Sequence, residues 1–456
     1  MATACIPQLT FPGQGFRQPV VAKFDQAHAS TDGGAILFKS VDTFLGLSQR
    51  LAACLDDPRQ PGKIQHEGSE LLRQRLFGLV CGYADCNDAA RLADDPIHKL
   101  LVGRDPLAGA ALASQPTLSR FENAVGRREL VAMGHVLADT VIARHRRRLK
   151  GRAQRITIDL DPTDDPTHGQ QELTFFNGHY DSWCYLPVVA TVTFDAEPRQ
   201  YAVAAVLRPG NAPASRGAPG LLRCLFGKLR AAFPTAVLRV RLDGGFASGP
   251  LFAFLEAHQV EYLVAMASNA RLDKRARRLM GKARMRSKAT GRTEHLYGET
   301  RYAATRWGRK RRVIIKAEVV RHPGRPPKNN PRFVVTNLPD APETGYQLYC
   351  QRGDMENRLK ELHHGLAMDR TSCTRFLANQ FRVLLALAAY VLFQEVQRRA
   401  QRTACADAQV ETLRERLLKL AVWVERSVRR IVLHLPATFP WRHTWQQLAQ
   451  AVGARP

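Results

Sequence analysis

Acid is what this sequence is short of. Of its 456 residues 41 are Asp or Glu, against 67 Lys or Arg, for a formal net charge of +26. A deficit of this size excludes an acidic, self-solvating chain. It is instead the electrostatic footprint of a protein that neutralises phosphates, so a nucleic acid is the expected partner. Long apolar runs are missing as well. The longest, residues 383–393, spans eleven residues between Arg382 and Gln394, too short to cross a bilayer and suited to a buried helix. No membrane partner is expected. The opening Met1-Ala-Thr-Ala-Cys-Ile-Pro7 lacks the basic start and apolar stretch of a secretory leader, so a soluble, cytoplasmic protein is expected. Cysteine is sparse. The nine residues form no Cys-x-x-Cys pair, only Cys81 and Cys86 lie close, and no His pair completes a zinc pattern. Reduced, mostly buried thiols are expected.

What is present is enough apolar residue, 45%, to build cores, on a chain long enough for about two to four units. Residues 1–152 read as a helical region closed by a basic linker, Arg144-His-Arg-Arg-Arg-Leu-Lys-Gly-Arg152. Val41, Phe44, Leu47, Leu51 and Leu55 recur at helical spacing, as do Leu72, Leu76, Leu79 and Val80, with breakers at Pro58 and Gly82. In Ser114-Gln-Pro-Thr-Leu-Ser-Arg120-Phe121, an N-cap and a first-turn proline start a helix that turns Leu118 and Phe121 inward and Arg120 outward. Such a helix serves either as a DNA recognition helix or as an ordinary capped surface helix. Residues 374–456 again read as helical. Phe381, Leu384, Leu385, Ala388 and Leu392 form one stripe, and Leu413, Leu417, Leu418 and Val422 continue at the same period.

The centre, 153–373, changes period. Strands are expected at 156–161, 183–194 and 201–208, a helix at 218–232, a strand at 236–242, a helix at 249–258 and a strand at 260–267. Three strands in a meander, then two reached by helical crossovers, make an α/β domain with a mixed five-stranded sheet, similar to the ribonuclease H-like fold. A basic, strand-rich insertion at about 270–340 follows. Between Arg271 and Arg332 there are 21 Lys and Arg against four acids. The clusters Lys274, Arg275, Arg277, Arg278 and Arg309, Lys310, Arg311, Arg312 are candidate phosphate contacts. Trp307, between Arg306 and Arg309, could stack on an unpaired base or pack in a core as strand aromatics usually do.

Three acids stand out against this basic background. Asp159 and Asp161 share one face of the first strand, because side chains alternate with period two. Asp243 ends a later strand just before Gly244-Gly245, where a carboxylate can hold a metal and glycines let a phosphate backbone approach. Glu356 sits in a helical segment with Tyr349, Arg352 and His363 on one side. At roughly 100° per residue, Asp354 lies about 200° and Glu361 about 140° around the helix from Glu356. Glu356 is therefore expected to complete the site.

The pattern Tyr349, two residues, Arg352, three residues, Glu356 resembles the signature of DDE-type bacterial insertion-sequence transposases. His363 stands where that signature has lysine, and Lys360 lies near the same region. Asp161-Pro-Thr163 looks like the element after that family's first strand. The run Asp161-Pro-Thr-Asp-Asp-Pro-Thr-His-Gly169, with Gly82-Tyr-Ala-Asp-Cys-Asn-Asp88, looks like insertion-sequence family thirteen-eighty. The resemblance covers most of the chain. It implies two Mg²⁺ ions, replaceable by Mn²⁺, held by Asp161, Asp243 and Glu356 with Asp159 as a further ligand. It also implies contacts to double-stranded DNA by Tyr349, Arg352, Lys360 and His363, and a homodimer on DNA that cuts transposon ends and joins them to a target. The alternatives are a nuclease of the same fold without strand transfer, or a DNA-binding protein without catalysis.

Overall fold

The structure, a computed structural model, describes residues 8–11 and 17–455; Met1 to Pro7, the stretch read for a leader, lies outside the described residues. The chain divides into two units, one made of 1–44, 59–119 and 395–456, the other of 45–58 and 120–394.

The second unit is built on an eight-stranded sheet. Its strands are β1 (Arg155–Pro162), β2 (Val188–Phe194), β3 (Tyr201–Val206), β4 (Val237–Leu242), β5 (Glu261–Met266), β6 (Glu294–Tyr302), β7 (Arg311–Val320) and β8 (Lys328–Thr336). They lie side by side as β6-β7-β8-β5-β4-β1-β2-β3. β4 runs parallel to both β1 and β5, and all other pairs are antiparallel. The expected five strands are therefore all present and adjacent, but the sheet does not stop there. The basic stretch makes no separate sheet. Its strands extend the same one, because Phe333, Val334 and Val335 of β8 pair with the apolar edge of β5 from Met266 to Val264.

Two further differences have simple causes. The single strand expected at 183–194 is two, Ser182–Tyr185 and β2, broken at Pro187, whose ring removes a ladder donor. Ser182–Tyr185 pairs instead with Asp165–Pro166 and Phe175–Asn177 in a small three-stranded sheet. The expected strand-rich insertion opens with a helix, Ala270–Thr290, whose Leu272, Ala276, Met280, Ala283 and Ser287 are buried at helical spacing. It packs on β6 and β7 and leaves its basic side chains outward.

The core lies on both faces of the sheet. Ile156, Ile158 and Leu160 of β1 are fully buried, as are Leu222 and Leu229 of the helix Ala218–Ala232. The edge strand β3 is closed by the long helix Phe376–Arg399. Gln380 donates to Ala205 O and accepts from Leu207 N, while Gln394 donates to Gln200 O and accepts from Ala202 N. Such cover keeps an edge from pairing with another chain. This helix alone among the described ones is long and apolar enough to cross a membrane, and most of it is buried in the fold.

The first unit holds the helices Ala35–Leu45, Gly68–Cys81, Cys86–Arg91 and Pro96–Val102. Phe44, expected inward, is half exposed. Its C-terminal part is not wholly helical as expected. The π-turn Arg414–Leu418 ends the helical path, and Val422 starts the strand Val422–Arg426, where Val422 and Val424 are buried in alternation. That strand pairs with Ile431–His434 and Ala29–Ser30.

Candidate active site

Parallel register puts two acids at one end of the sheet. Leu160 of β1 is opposite Leu242 of β4, so Asp161 and Asp243, each one residue on, leave the sheet side by side. Asp161 is almost wholly buried; Asp243 is partly exposed and accepts a hydrogen bond from Gly245 N at 2.9 Å. Gly245 is required by packing, since a Cβ there would stand 2.8 Å from the Ala214 Cβ. Glu356 arrives on the helix Asp354–Lys360, exposed.

The three carboxylates feel one another. Burial raises the pKa of Asp161 to about 7; Arg352 opposes that rise, while the charges of Asp243 and Glu356 add to it. Arg352 Nη2 donates to Asp161 Oδ1 at 2.6 Å, and its Nε is buried with no partner among the described residues. Tyr349 is within electrostatic reach of Arg352, Asp243 and Asp161, and burial raises its phenol pKa. Its ring packs on the core of Leu263, Ile314, Val334, Leu338 and Tyr346. His363 stands 3.3 Å from Thr163 Oγ1 and 3.6 Å from Asp369, and Lys360 is exposed.

The helix separates Glu356 from its two rivals. Asp354 opens on a polar cavity with Gln154 and Arg155, which lie at the start of β1, the opposite end from Asp161. Glu361 is buried, with Tyr390 donating to it at 2.6 Å and Arg358 at 3.0 Å. The helical path from Pro342 to Gly365 is continuous but not uniform, tightening to 3-10 at Gln351–Gly353 and widening to π at Glu361–Gly365.

Asp159 is not part of the group. It shares a strand face with Asp161, but two residues along a strand is about 6.6 Å, and cross-strand pairing sets Arg241 directly opposite. Arg241 grips both Asp159 oxygens at 2.7 Å, Gln200 donates to one at 2.9 Å, and the carboxylate is fully buried. Its acceptor capacity is spent on structure, which corrects its expected place among the metal ligands.

Two groups near the acids carry no signal in the sequence pattern. Arg208 is buried, bound to the carbonyls of Leu186, Pro213, Ala214 and Arg216, with Nη2 unpartnered among the described residues and Asp243 in electrostatic reach. Asp165 is buried too; burial raises its pKa to about 8, although Thr371 donates to it at 2.8 Å.

The basic residues differ in how far the fold buries them. Arg311 is buried, forks onto Glu256 and lies over the rings of Phe252 and Trp307. Arg312 is bound to Glu299 and to the carbonyls of Leu338 and Asp340. Trp307 is buried edge-on to Phe252 at 4.9 Å and Tyr302 at 5.6 Å, so it packs rather than stacks on a base. These three are corrected as DNA contacts. Arg309 pairs with Glu256 but stays exposed, and Arg275 donates to Thr300 and Arg301. Lys274, Arg277, Arg278 and Lys310 are exposed, as is Arg120 on the helix Gln115–Ala124.

The family described as Transposase DDE domain group 1 matches residues 13–455. The chain belongs to the DDE transposases. No curated protein matches it. As a DDE transposase it is a nucleotidyl-transferring enzyme with DNA as its partner, and such transposases generally use divalent metals. Salt dependence tests whether the exposed basic face of helix Ala270–Thr290 meets phosphates in this transposase. Neutralising Lys274, Arg277 and Arg278 together is expected to weaken binding to all duplexes alike. It should also flatten the slope of log affinity against log salt by about 3, since each phosphate contact releases about 0.9 of a counterion. Filter binding over a salt series checks it; an unchanged slope removes this helix from the interface.

Proposed function

We propose that this DDE transposase binds the terminal inverted repeats of a mobile element as a homodimer, cuts the element's ends and joins their 3′ ends to target DNA. It would act in the cytoplasm, on the nucleoid. The sheet order β3-β2-β1-β4-β5 supports reading the core as ribonuclease H-like, and the runs Asp161 to Gly169 and Gly82 to Asp88 support membership of insertion-sequence family thirteen-eighty. The helical part of residues 1–152, with Arg120 on its last short helix, is assigned to end binding.

One observation carries the reading: Asp161, Asp243 and Glu356 come from three distant segments to lie within electrostatic reach around Arg352. The group fits divalent metal. Its donors are carboxylate oxygens, which suit hard Mg²⁺ or Mn²⁺, and without a cation burial, helped by the charges of Asp243 and Glu356, raises the Asp161 pKa to about 7. Asp161, Asp243 and Glu356 would hold such ions, which would supply Lewis-acid activation of a water and charge stabilisation at the leaving 3′ oxygen. The chain's own groups supply the rest. Arg352 fixes Asp161 through one nitrogen and keeps Nε for a phosphate oxygen. Arg208 offers a second unpaired donor beside Asp243. His363 props Thr163, two residues from Asp161, and Tyr349 braces the helix against the sheet.

The test starts from the pair of short inverted repeats that this reading expects in the DNA flanking the gene. A labelled duplex ending in that repeat, incubated with supercoiled plasmid and Mg²⁺, should yield label joined to plasmid. Hydrolysed ends without joining would leave a nuclease; binding without either product would leave a DNA-binding protein.

A further inference from the structure

The small sheet beside the acids carries an aromatic pair that the fold leaves open. Phe176 and Trp183 are directly opposite across the strands Phe175–Asn177 and Ser182–Tyr185, edge to face with centroids 6.3 Å apart. They are 52% and 57% exposed. Half-exposed rings of this size, paired on one small sheet, mark a binding surface rather than a core.

The sheet is held firmly and close to the site. Thr167 N donates to Trp183 O at 2.9 Å, and Asn177 donates to Gly210 O at 2.8 Å. Gly210 sits so close beneath that a Cβ would stand 2.1 Å from Cys184 O, so only glycine fits. Thr167 is six residues after Asp161, which bounds the chain path between them at about 20 Å. That is about six nucleotide steps along a duplex strand. The turn of the hairpin leans the same way, since Tyr180 lies within electrostatic reach of Asp164, Asp161 and Asp243. Asp181 in that turn is left-handed, with φ 53°.

We propose that Phe176 and Trp183 form a stacking platform for unpaired bases of the DNA strand being cut, so that the enzyme acts on an end melted over a few nucleotides. The proposal rests on the transposase reading above and names the state of its substrate. The occupant follows from position. Exposed aromatic rings on a sheet within about six nucleotide steps of acids that act on phosphodiesters, in a chain of net charge +26, meet bases once the backbone is seated. Every base has a π face, so stacking of this kind is tolerant of sequence.

The experiment measures binding in EDTA, so that it does not depend on catalysis. The full chain is titrated with a paired duplex and with the same duplex carrying a few unpaired nucleotides at one end, one of them 2-aminopurine. The expected result is about tenfold tighter binding of the frayed end, with quenching of the probe. Trp183→Ala with Phe176→Ala should abolish the preference and the quenching while leaving affinity for the paired duplex unchanged. Trp183→Phe should retain both. Should the double variant melt early, Trp183→Leu keeps apolar bulk without an aromatic face and carries the same test. A preference that survives loss of the rings overturns the proposal. So does a shift from dimer to monomer in sedimentation with the preference intact, which would make the pair a protein contact. If the ring-dependent preference holds but Mg²⁺ produces no cleavage, the platform stands and the transposase mechanism falls.

Discussion

Asp243→Ala is expected to lower Mg²⁺-dependent cleavage of end-bearing DNA by about a thousandfold or more, while affinity for that DNA changes by less than about twofold. The asymmetry follows from where the side chain stands. Asp243 is partly exposed and its carboxylate accepts one bond from its own turn, Gly245 N. Losing that bond costs about 1 kcal/mol. In the proposed mechanism, however, its place beside Asp161 lets it hold a cation against the scissile phosphate. Gel shift and cleavage on one protein sample separate the two effects. Binding that falls as far as cutting would make Asp243 a folding residue.

The second large effect concerns stability and sets two neighbouring acids against each other. Asp159→Ala is expected to destabilise the protein by about 3–5 kcal/mol, because it leaves the Arg241 guanidinium buried without its bidentate partner. Asp161→Asn should do the opposite at alkaline pH. The folded-state pKa of Asp161 is raised to about 7 from 3.8, so between those values the native state binds more protons than the unfolded one. Metal-free stability therefore falls as pH rises through this window, and a neutral amide avoids the loss. Urea unfolding at pH 5 and pH 8 in EDTA checks both. A mild Asp159→Ala together with a strongly destabilised Asp161→Asn would exchange the roles assigned to the two residues.

That contrast also marks how far the sequence could be read. Alternation correctly placed Asp159 and Asp161 on one face, but a face is not a site. Which of the two is consumed depends on the residue opposite, and the register of Arg241 against Asp159 is a property of the parallel pair, invisible along the chain. The same holds for the arginines. Arg311 and Arg312 belong to a basic run in sequence, yet strand alternation turns one into the core against Glu256, and Glu299 captures the other. The helix Ala270–Thr290 was legible in principle from Leu272, Ala276, Met280 and Ala283, but its density of charge masks a narrow apolar stripe. Arg208 had no local signal, because its role comes from loop carbonyls gathered around it by the fold. The different settings of Asp354, Glu356 and Glu361 were open to helical geometry, since the path from Pro342 to Gly365 stays helical despite its 3-10 and π segments.

Asp161, Asp243 and Glu356 are proposed to form one cation site, and Mn²⁺ binding measures that without any DNA. Electron paramagnetic resonance titration at pH 8 should detect Mn²⁺ bound by the wild-type protein and lost in Asp161→Asn, Asp243→Ala and Glu356→Gln. Binding should be unchanged in Asp354→Asn, whose side chain opens on the far cavity. It should weaken as pH falls below about 7, where a proton takes the place of the metal on Asp161. Undiminished Mn²⁺ binding by Glu356→Gln, or its loss in Asp354→Asn, would contradict the assignment.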